Sequence, residues 1–327
     1  MLAQSVSIFD PASPSASSIV SLAILTLAIA GLIFLVVEGV LLYSIWRFRH
    51  SSGQCAGEPP QVYGSMPIEV AWTAAPAMIV FFLMLVTART LWDIEPELPQ
   101  PRSGDNALFV TVIGHQWWWE YVYESYNGRP LGFITANELH VPASDDETRR
   151  RVYLMLKSAD VCHSYWVPRL GGKVDLVPGR TNLLAFETKE TGLHLGQCAE
   201  FCGAQHANML IRVYADLPDD FEQWLDHEAQ PAAEIASASE GRAAFLAQSC
   251  VSCHAVRGTT ARGSYAPDLT HLMSRQTLAA GMIENTPESL PQWIRDPQDV
   301  KPGCLMAAFG LEQRELDLVV EYLLTLR

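Results

Sequence analysis

The sequence predicts a multidomain chain: a two-helix transmembrane hairpin, then an all-β domain, then an all-α domain. Three observations predict it. Two long apolar runs, Ile19 to Trp46 and Val70 to Trp92, lie near the N-terminus. From Ala107 to about Leu217, short β-rich runs alternate with Gly, Pro and polar turns. A helical texture follows, built around Cys250-Val-Ser-Cys253-His254, the attachment pattern for a c-type haem.

A chain of 327 residues has room for two or three units. A hydrophobic share of 49% is high for a purely soluble protein and points to membrane segments confined to one part of the chain. The net charge of −14 argues against nucleic acid, whose phosphates need Lys and Arg. It reads as a solubilising acidic surface, with a smaller part available as a docking face for a basic redox partner. The seven cysteines are an odd number. Two belong to the haem motif and two to a loop from Cys198 to Met209, leaving Cys55, Cys162 and Cys304, so a general disulfide framework is not expected. Haem is attached to such motifs outside the cytoplasm, which puts the C-terminal half on the periplasmic side or its equivalent.

Residues 1–18 form a Ser/Pro/Ala-rich tail without Lys or Arg, and 19–92 form the hairpin. The first apolar run is long enough to span a bilayer at about 1.5 Å per residue. It is too long, and too far from a small-residue cleavage pattern, to be a simple signal peptide. The second contains Pro76, which a membrane helix tolerates when neighbouring groups satisfy the freed carbonyl. The connector begins with Arg47 and Arg49, so the positive-inside rule makes it cytoplasmic and puts both termini outside. This agrees with the haem motif. Cys55 in that connector reads as a plain reduced thiol. Glu38 sits about 12 Å of helix from Trp46. An intramembrane carboxyl is costly; it reads first as a protonated contact with a neighbouring subunit and second as a proton-linked group.

Residues 105–220 carry the β pattern, with runs at Leu108–Ile113, Val152–Leu156, Asn182–Glu187 and Met209–Tyr214, the spacing of a sandwich or barrel. Residues 221–239 read as a short helix and an Ala/Glu/Ser-rich linker. In 240–327 one helix leads into Cys250, another lies near Leu290–Arg295, and a last one covers Glu312–Leu326. No internal repeat is evident.

The loop Cys198-Ala-Glu-Phe-Cys202-Gly-Ala-Gln-His206-Ala-Asn-Met209 gathers two thiols, an imidazole and a thioether. Soft sulfur mixed with imidazole suits copper, and a single-copper site needs only one Cys. Two cysteines three residues apart allow both sulfurs to bridge a pair of coppers. One more imidazole is needed, and His163, at a strand end before a Pro/Gly-rich loop, is the best candidate. Neighbouring Cys162 should point the other way as a small buried hydrophobe. A structural zinc site, a Cys198–Cys202 disulfide and a plain buried Cys/Met cluster compete; zinc suits the Met poorly, and a plain cluster would not need His206. Cys250 and Cys253 are the expected thioether positions, with His254 as proximal iron ligand.

Together with Gly114-His-Gln-Trp-Trp-Trp-Glu-Tyr121 and the Asp160–Gly179 segment, these motifs make the chain resemble subunit II of a haem-copper cytochrome c oxidase, of the bacterial type with a fused C-terminal cytochrome c. The resemblance spans nearly the whole chain. It implies a cupredoxin-like barrel and a class I cytochrome c domain. It implies a binuclear copper (CuA) centre bridged by Cys198 and Cys202, with His163 and His206 as terminal ligands and Met209 as a weak one. Glu200 would give its backbone carbonyl, and its side chain would reach a magnesium ion shared with the catalytic subunit. Trp117 matches the tryptophan through which electrons arrive, and Glu69 an acid at the entrance of a proton pathway. For Glu69 an ordinary helix N-terminal carboxylate is the competing reading. At least one of Trp118 and Trp119 is expected to serve packing.

Met306 resembles the distal haem ligand, although Cys304 stands where the family usually has Asn and Ala307 where it often has Pro. Met273 and Met282 fall in expected helical stretches and read as core. Pro267 resembles the residue whose carbonyl orients the proximal His, and Arg275 one that meets a haem propionate. His271, His115, His140, His194 and His227 read as structural or exposed. The implied function is electron input to a separate catalytic subunit I that reduces dioxygen with proton pumping. Expected partners are that subunit, further oxidase subunits, the membrane, and a periplasmic donor such as cytochrome c or the bc1 complex. The expected site is the bacterial inner membrane, with both metal domains outside. Two alternatives are the CuA subunit of a nitric oxide reductase and a membrane-tethered copper-binding or assembly protein.

Overall fold

Helix α1, Pro14–Arg47, and helix α2, Met66–Ile94, take up the two apolar runs and extend past them. Their best windows have mean hydropathies of 2.9 and 2.1, and no residue of either window is buried. Several hydroxyls within the runs donate back to carbonyls one turn earlier, as Thr26 does to Leu22 O and Thr73 to Glu69 O, and α2 continues through Pro76. In a computed structural model of the chain, residues 7–49, 61–94 and 106–327 are described. Cys55 and the centre of the connector lie outside them. The chain divides into two units, one being Ser17–Glu95 and the other the first sixteen residues together with Pro96–Arg327.

The larger unit begins with a β-sandwich. Its first sheet runs β3-β2-β1-β5-β8, from β1 (Leu108–His115), β2 (Trp118–Tyr126), β3 (Arg129–Ala136), β5 (Val152–Ser158) and β8 (Asn182–Phe186). Its second runs β4-β10-β9-β6-β7, from β4 (Glu138–Pro142), β6 (His163–Trp166), β7 (Val174–Leu176), β9 (Gly192–Cys198) and β10 (Leu210–Asp216). Strand β2 explains the layering: Trp119, Tyr121 and Tyr123 are fully buried at every second position. They join Leu108, Val110, Val112, Leu154, Leu156, Leu176 and Val213 in one core. On the outer face of the first sheet, Phe109 stacks on Tyr153 at 5.1 Å over a small second cluster.

Helix α3, Pro218–Glu228, corrects the linker reading in part. Phe221 and Leu225 are buried in the β-domain core, and Trp224 packs against it. Their i, i+3, i+4 spacing gives the helix one apolar face. Beyond it come α4 (Ser239–Ala247), α5 (Cys250–Cys253), α6 (Ser289–Arg295), α7 (Pro297–Val300) and α8 (Gln313–Leu323). A capping box between Glu312 and Glu315 starts α8, and Leu316, Val319, Val320 and Leu323 turn inward toward α4, where Tyr322 meets Phe245. A two-stranded ladder, β11 (Thr277–Leu278) with β12 (Ile283–Glu284), interrupts the helices. Met282 therefore sits in the turn of that ladder, not in a helix, and Met273 sits in a short 3-10 turn.

The helical domain lies against the sandwich through buried polar contacts. Glu138 accepts from the Gln276 and Thr277 amides at 2.9 Å each and from the Thr277 hydroxyl at 2.6 Å, with Arg212 at 3.6 Å. The Leu210 amide donates to Ala280 O at 3.0 Å, and Ala280 is counted in the sandwich core.

Candidate metal centre

His163 opens β6, and the β6–β9 ladder sets Tyr165 opposite Cys198. One register step thus brings an imidazole from an early strand to the last residue of β9. Gly114 leaves the room for it: a Cβ there would lie 2.9 Å from His163 Cδ2. The loop after Cys198 returns through a 3-10 turn, His206–Asn208, to β10. Cys198 Sγ lies 3.8 Å from Cys202 Sγ and 3.9 Å from His163 Nδ1. Cys202 Sγ lies 3.6 Å from His206 Nδ1 and 3.4 Å from Met209 Sδ. The carbonyl of Glu200 is 3.2 Å from Cys198 Sγ. All six residues singled out in the sequence therefore converge. Two central sulfurs flanked by one imidazole each, with a thioether and a carbonyl at the margins, fit a soft binuclear ion pair better than a hard cation.

The groups behind the donors fix them. Asp160 Oδ1 accepts from His163 Nε2 at 2.8 Å, which leaves Nδ1 facing the sulfurs. Asp160 also accepts from the Val161 and Gln116 amides, each at 2.6 Å. Burial acts to raise the Asp160 pKa, but these bonds outweigh it and hold the carboxyl below its ordinary value. Burial likewise opposes a charge on His163, while its bonds to Asp160 and Cys198 raise its pKa overall. The hydrogen bond between the two thiols pulls Cys198 well below the ordinary thiol value and pushes Cys202 above it. The pair sheds one proton readily and resists losing the second, which an arriving cation would displace.

Trp117 Nε1 and Gln116 Nε2 donate to the Cys202 carbonyl at 3.0 and 2.7 Å. Gly203, at φ +116°, allows this approach, since a Cβ would come within 3.0 Å of both side chains. Trp119 is fully buried, edge-on to His163 and Tyr165, with Nε1 3.4 Å from Met209 O. Trp118 instead stacks on His115, which bonds Glu120 at 2.9 Å. Cys162 is exposed, which corrects the expectation of a buried thiol. It lies just before β6 begins, outside the ladder that buries His163, Ser164 and Tyr165.

In the helical domain His254 donates from Nδ1 to Pro267 O at 2.7 Å, leaving Nε2 free, and burial lowers its pKa so that the ring stays neutral. Arg275 Nε and Arg257 Nε are buried with no hydrogen-bond acceptor among the described residues. Orphaned guanidinium N–H groups are what an anionic haem edge would satisfy. Together with the paired cysteines on α5, the residues fit a covalent haem. Gln298, which the sequence did not single out, clamps the Met306 loop: its amide donates to Cys304 O at 3.0 Å and Met306 O at 2.9 Å. The same amide lies 3.3 Å from Cys304 Sγ, which makes Cys304 part of the clamp.

Glu69 accepts from the Ser65 amide at 3.1 Å at the head of α2, an ordinary capping contact. Among the remaining histidines, His140 bonds Asp216 at 2.7 Å and stacks on Trp224, and His194 bonds Glu190 O at 3.0 Å. His227, Glu228 and His271 also cluster, but both ring nitrogens of His271 face carbonyls, at 2.9 and 3.0 Å, and none is left for a metal. No sequence pattern singles out Lys301, whose partners are remote main-chain carbonyls, and Asp160 carries no role of its own in the sequence beyond opening the Asp160–Gly179 segment.

A family model described as cytochrome c oxidase subunit II, periplasmic domain, matches residues 108–215. One described as the transmembrane domain of the same subunit matches 3–89, and one described as cytochrome c matches 238–327. Cytochrome c oxidase subunit 2 of Alkalihalophilus pseudofirmus is 34% identical over 328 residues, covering 99% of this chain and 92% of the relative. The Bacillus subtilis protein of the same name is 33% identical over 299 residues, with 87% and 81% covered. A solved periplasmic domain of subunit II from Bradyrhizobium japonicum is 29% identical, covers 37% of this chain and 92% of its own, and superposes with a TM-score of 0.33.

Proposed function

This chain belongs to the cytochrome c oxidase subunit II family and ends in a cytochrome c domain, and from that premise we propose that it is the electron-input subunit of a respiratory oxidase. It is anchored by two membrane helices, with its β-domain outside the membrane. The subunit II domain implies a CuA centre and the cytochrome c domain a haem; both groups supply one-electron carriers. The single observation that carries the reading is the convergence of His163, Cys198, Cys202, His206 and Met209 with the Glu200 carbonyl.

In this reading Cys250 and Cys253 would hold the haem covalently, His254, its Nδ1 bonded to Pro267 O, would offer Nε2 to the iron, and Met306, in the loop held by Gln298, would be the second protein ligand. Arg275 offers its unpaired Nε to a propionate. Trp117 is the point of electron input at the copper loop, tied to Cys202 O. Trp119 and Tyr165 exclude water behind His163. The exposed Glu200 side chain is free to meet magnesium at a catalytic subunit, and Glu69, bonded to the Ser65 amide at the head of α2, would meet a proton pathway there. The catalytic subunit would reduce dioxygen to water and pump protons across a bacterial inner membrane, fed from a periplasmic donor such as cytochrome c or the bc1 complex. The domain limits that suit these roles are 105–220 for copper and 240–327 for haem.

Metal analysis and spectra of the purified chain test this. The expected result is two coppers per covalent haem with a mixed-valence near-infrared band. Zinc in place of copper would overturn it. Oxygen uptake, and no nitric oxide uptake, by the co-purified catalytic subunit separates this reading from a nitric oxide reductase.

A further inference from the structure

Lys301 is 3% exposed, an unusual place for an ammonium group. It follows α7 and begins the loop that carries Met306. Its Nζ donates to three backbone carbonyls: Trp117 O at 2.7 Å, Asn208 O at 2.7 Å and Ala279 O at 3.0 Å. Two of these acceptors belong to the sandwich. Trp117 is bonded to the Cys202 carbonyl, and Asn208 precedes Met209. Ala279 belongs to the turn of the β11–β12 ladder, in the helical domain. One side chain therefore ties the Met306 loop to both flanks of the copper loop. Beside it, Gln205 Nε2 donates to Pro302 O at 2.6 Å.

No carboxylate of the described residues forms an ion pair with Lys301; burial pulls its pKa down to about 8, against the opposing pull of the neighbouring thiols Cys304 and Cys202. A buried ammonium without a carboxylate partner is expensive to keep for stability alone. A charge held there lies beside the copper loop in surroundings of low dielectric.

We propose that Lys301 is the positioning residue for electron transfer from haem to copper: it sets the distance between the Met306 loop and the copper loop, and its charge favours the electron on the copper side. One electron leaves ferrous haem iron, which becomes ferric, and enters the copper pair, which is reduced by one electron. No bond forms or breaks and no proton moves.

The inference rests on the haem and CuA reading above. The test uses the full metal-loaded chain in detergent, with rapid reduction of the haem and optical detection of copper reduction, and redox titration of each centre. In K301M, copper reduction is expected to slow several-fold. The copper midpoint potential should fall while the haem potential and both spectra stay as in the parent. K301R, which keeps the charge, should restore most of the rate and the potential. Unchanged rate and copper potential in K301M overturn the proposal. Should K301M not fold, Q205A carries the test: slower transfer with an unchanged copper potential supports it, and an unchanged rate overturns it. A parent chain without the copper band or the haem spectrum would sink the underlying reading instead.

Discussion

Asp160 contributes no donor atom to the sulfur cluster, yet it determines which nitrogen of His163 faces the sulfurs. Asp160→Asn is expected to lower copper affinity by about 10–100-fold with little change in fold, because an orienting carboxylate is replaced by an amide that need not accept from Nε2. Chelator competition followed through the copper band measures it, and unchanged affinity would refute it. His194 tests electrostatics away from the metals. It is 1% exposed, donates from Nε2 to Glu190 O, and accepts from Arg169 Nη1 at 3.2 Å. Burial first, then the Arg169 charge, lowers its pKa below the ordinary 6.5. Between the lowered value and about 6.5 the folded chain binds fewer protons than the unfolded one. The stability His194 contributes is thus full above about pH 6.5 and is lost as the pH falls below it. In His194→Gln the fall in melting temperature from pH 7 to pH 5 should be shallower; an identical slope would rule this out. Cys198, Cys202, His206 and Met209 were legible because four ligand residues of three rare types share one loop. Asp160 was not, because carboxylates near turns are common and only a ring nitrogen at 2.8 Å gives this one a role.

Elements were legible where periodicity is strong. The alternation of Trp119, Tyr121 and Tyr123 and the spacing of Leu316, Val319, Val320 and Leu323 each state which face is inward. The expected runs at Leu108, Val152, Asn182 and Met209 correspond to β1, β5, β8 and β10. Short strands β6, β7, β11 and β12 have two to four residues and carry too little pattern to be read. Yet β6 delivers His163, and the end of β11 lies on Glu138 of β4. Glu138→Leu should cost about 3–5 kcal/mol, because it strands Arg212 in a buried site and leaves two amides unpaired. Denaturant titration measures this; a loss below about 1 kcal/mol would show that the contact is not structural.

The outer unit joins two different architectures through buried backbone contacts, so they should unfold together. Calorimetry of the metal-loaded chain should give one transition for the haem and copper signals, and Glu138→Leu should split it into two; two transitions in the parent would refute the coupling. The sequence by itself determined the membrane hairpin, the haem attachment, the soft-metal loop and the family resemblance. Each of these is written in local composition or in ligand spacing along a short stretch of chain. Only the tertiary structure decided that Cys162 is exposed, that α3 belongs to the sandwich core, and that Asp160 orients His163. It also decided that Lys301 sits between the Met306 loop and the copper loop. The Lys301 contact depends on main-chain carbonyls far away in sequence, which every residue carries and no pattern of side chains reveals, and the others depend on which surfaces the packed elements cover and on a side-chain geometry that spacing alone does not state.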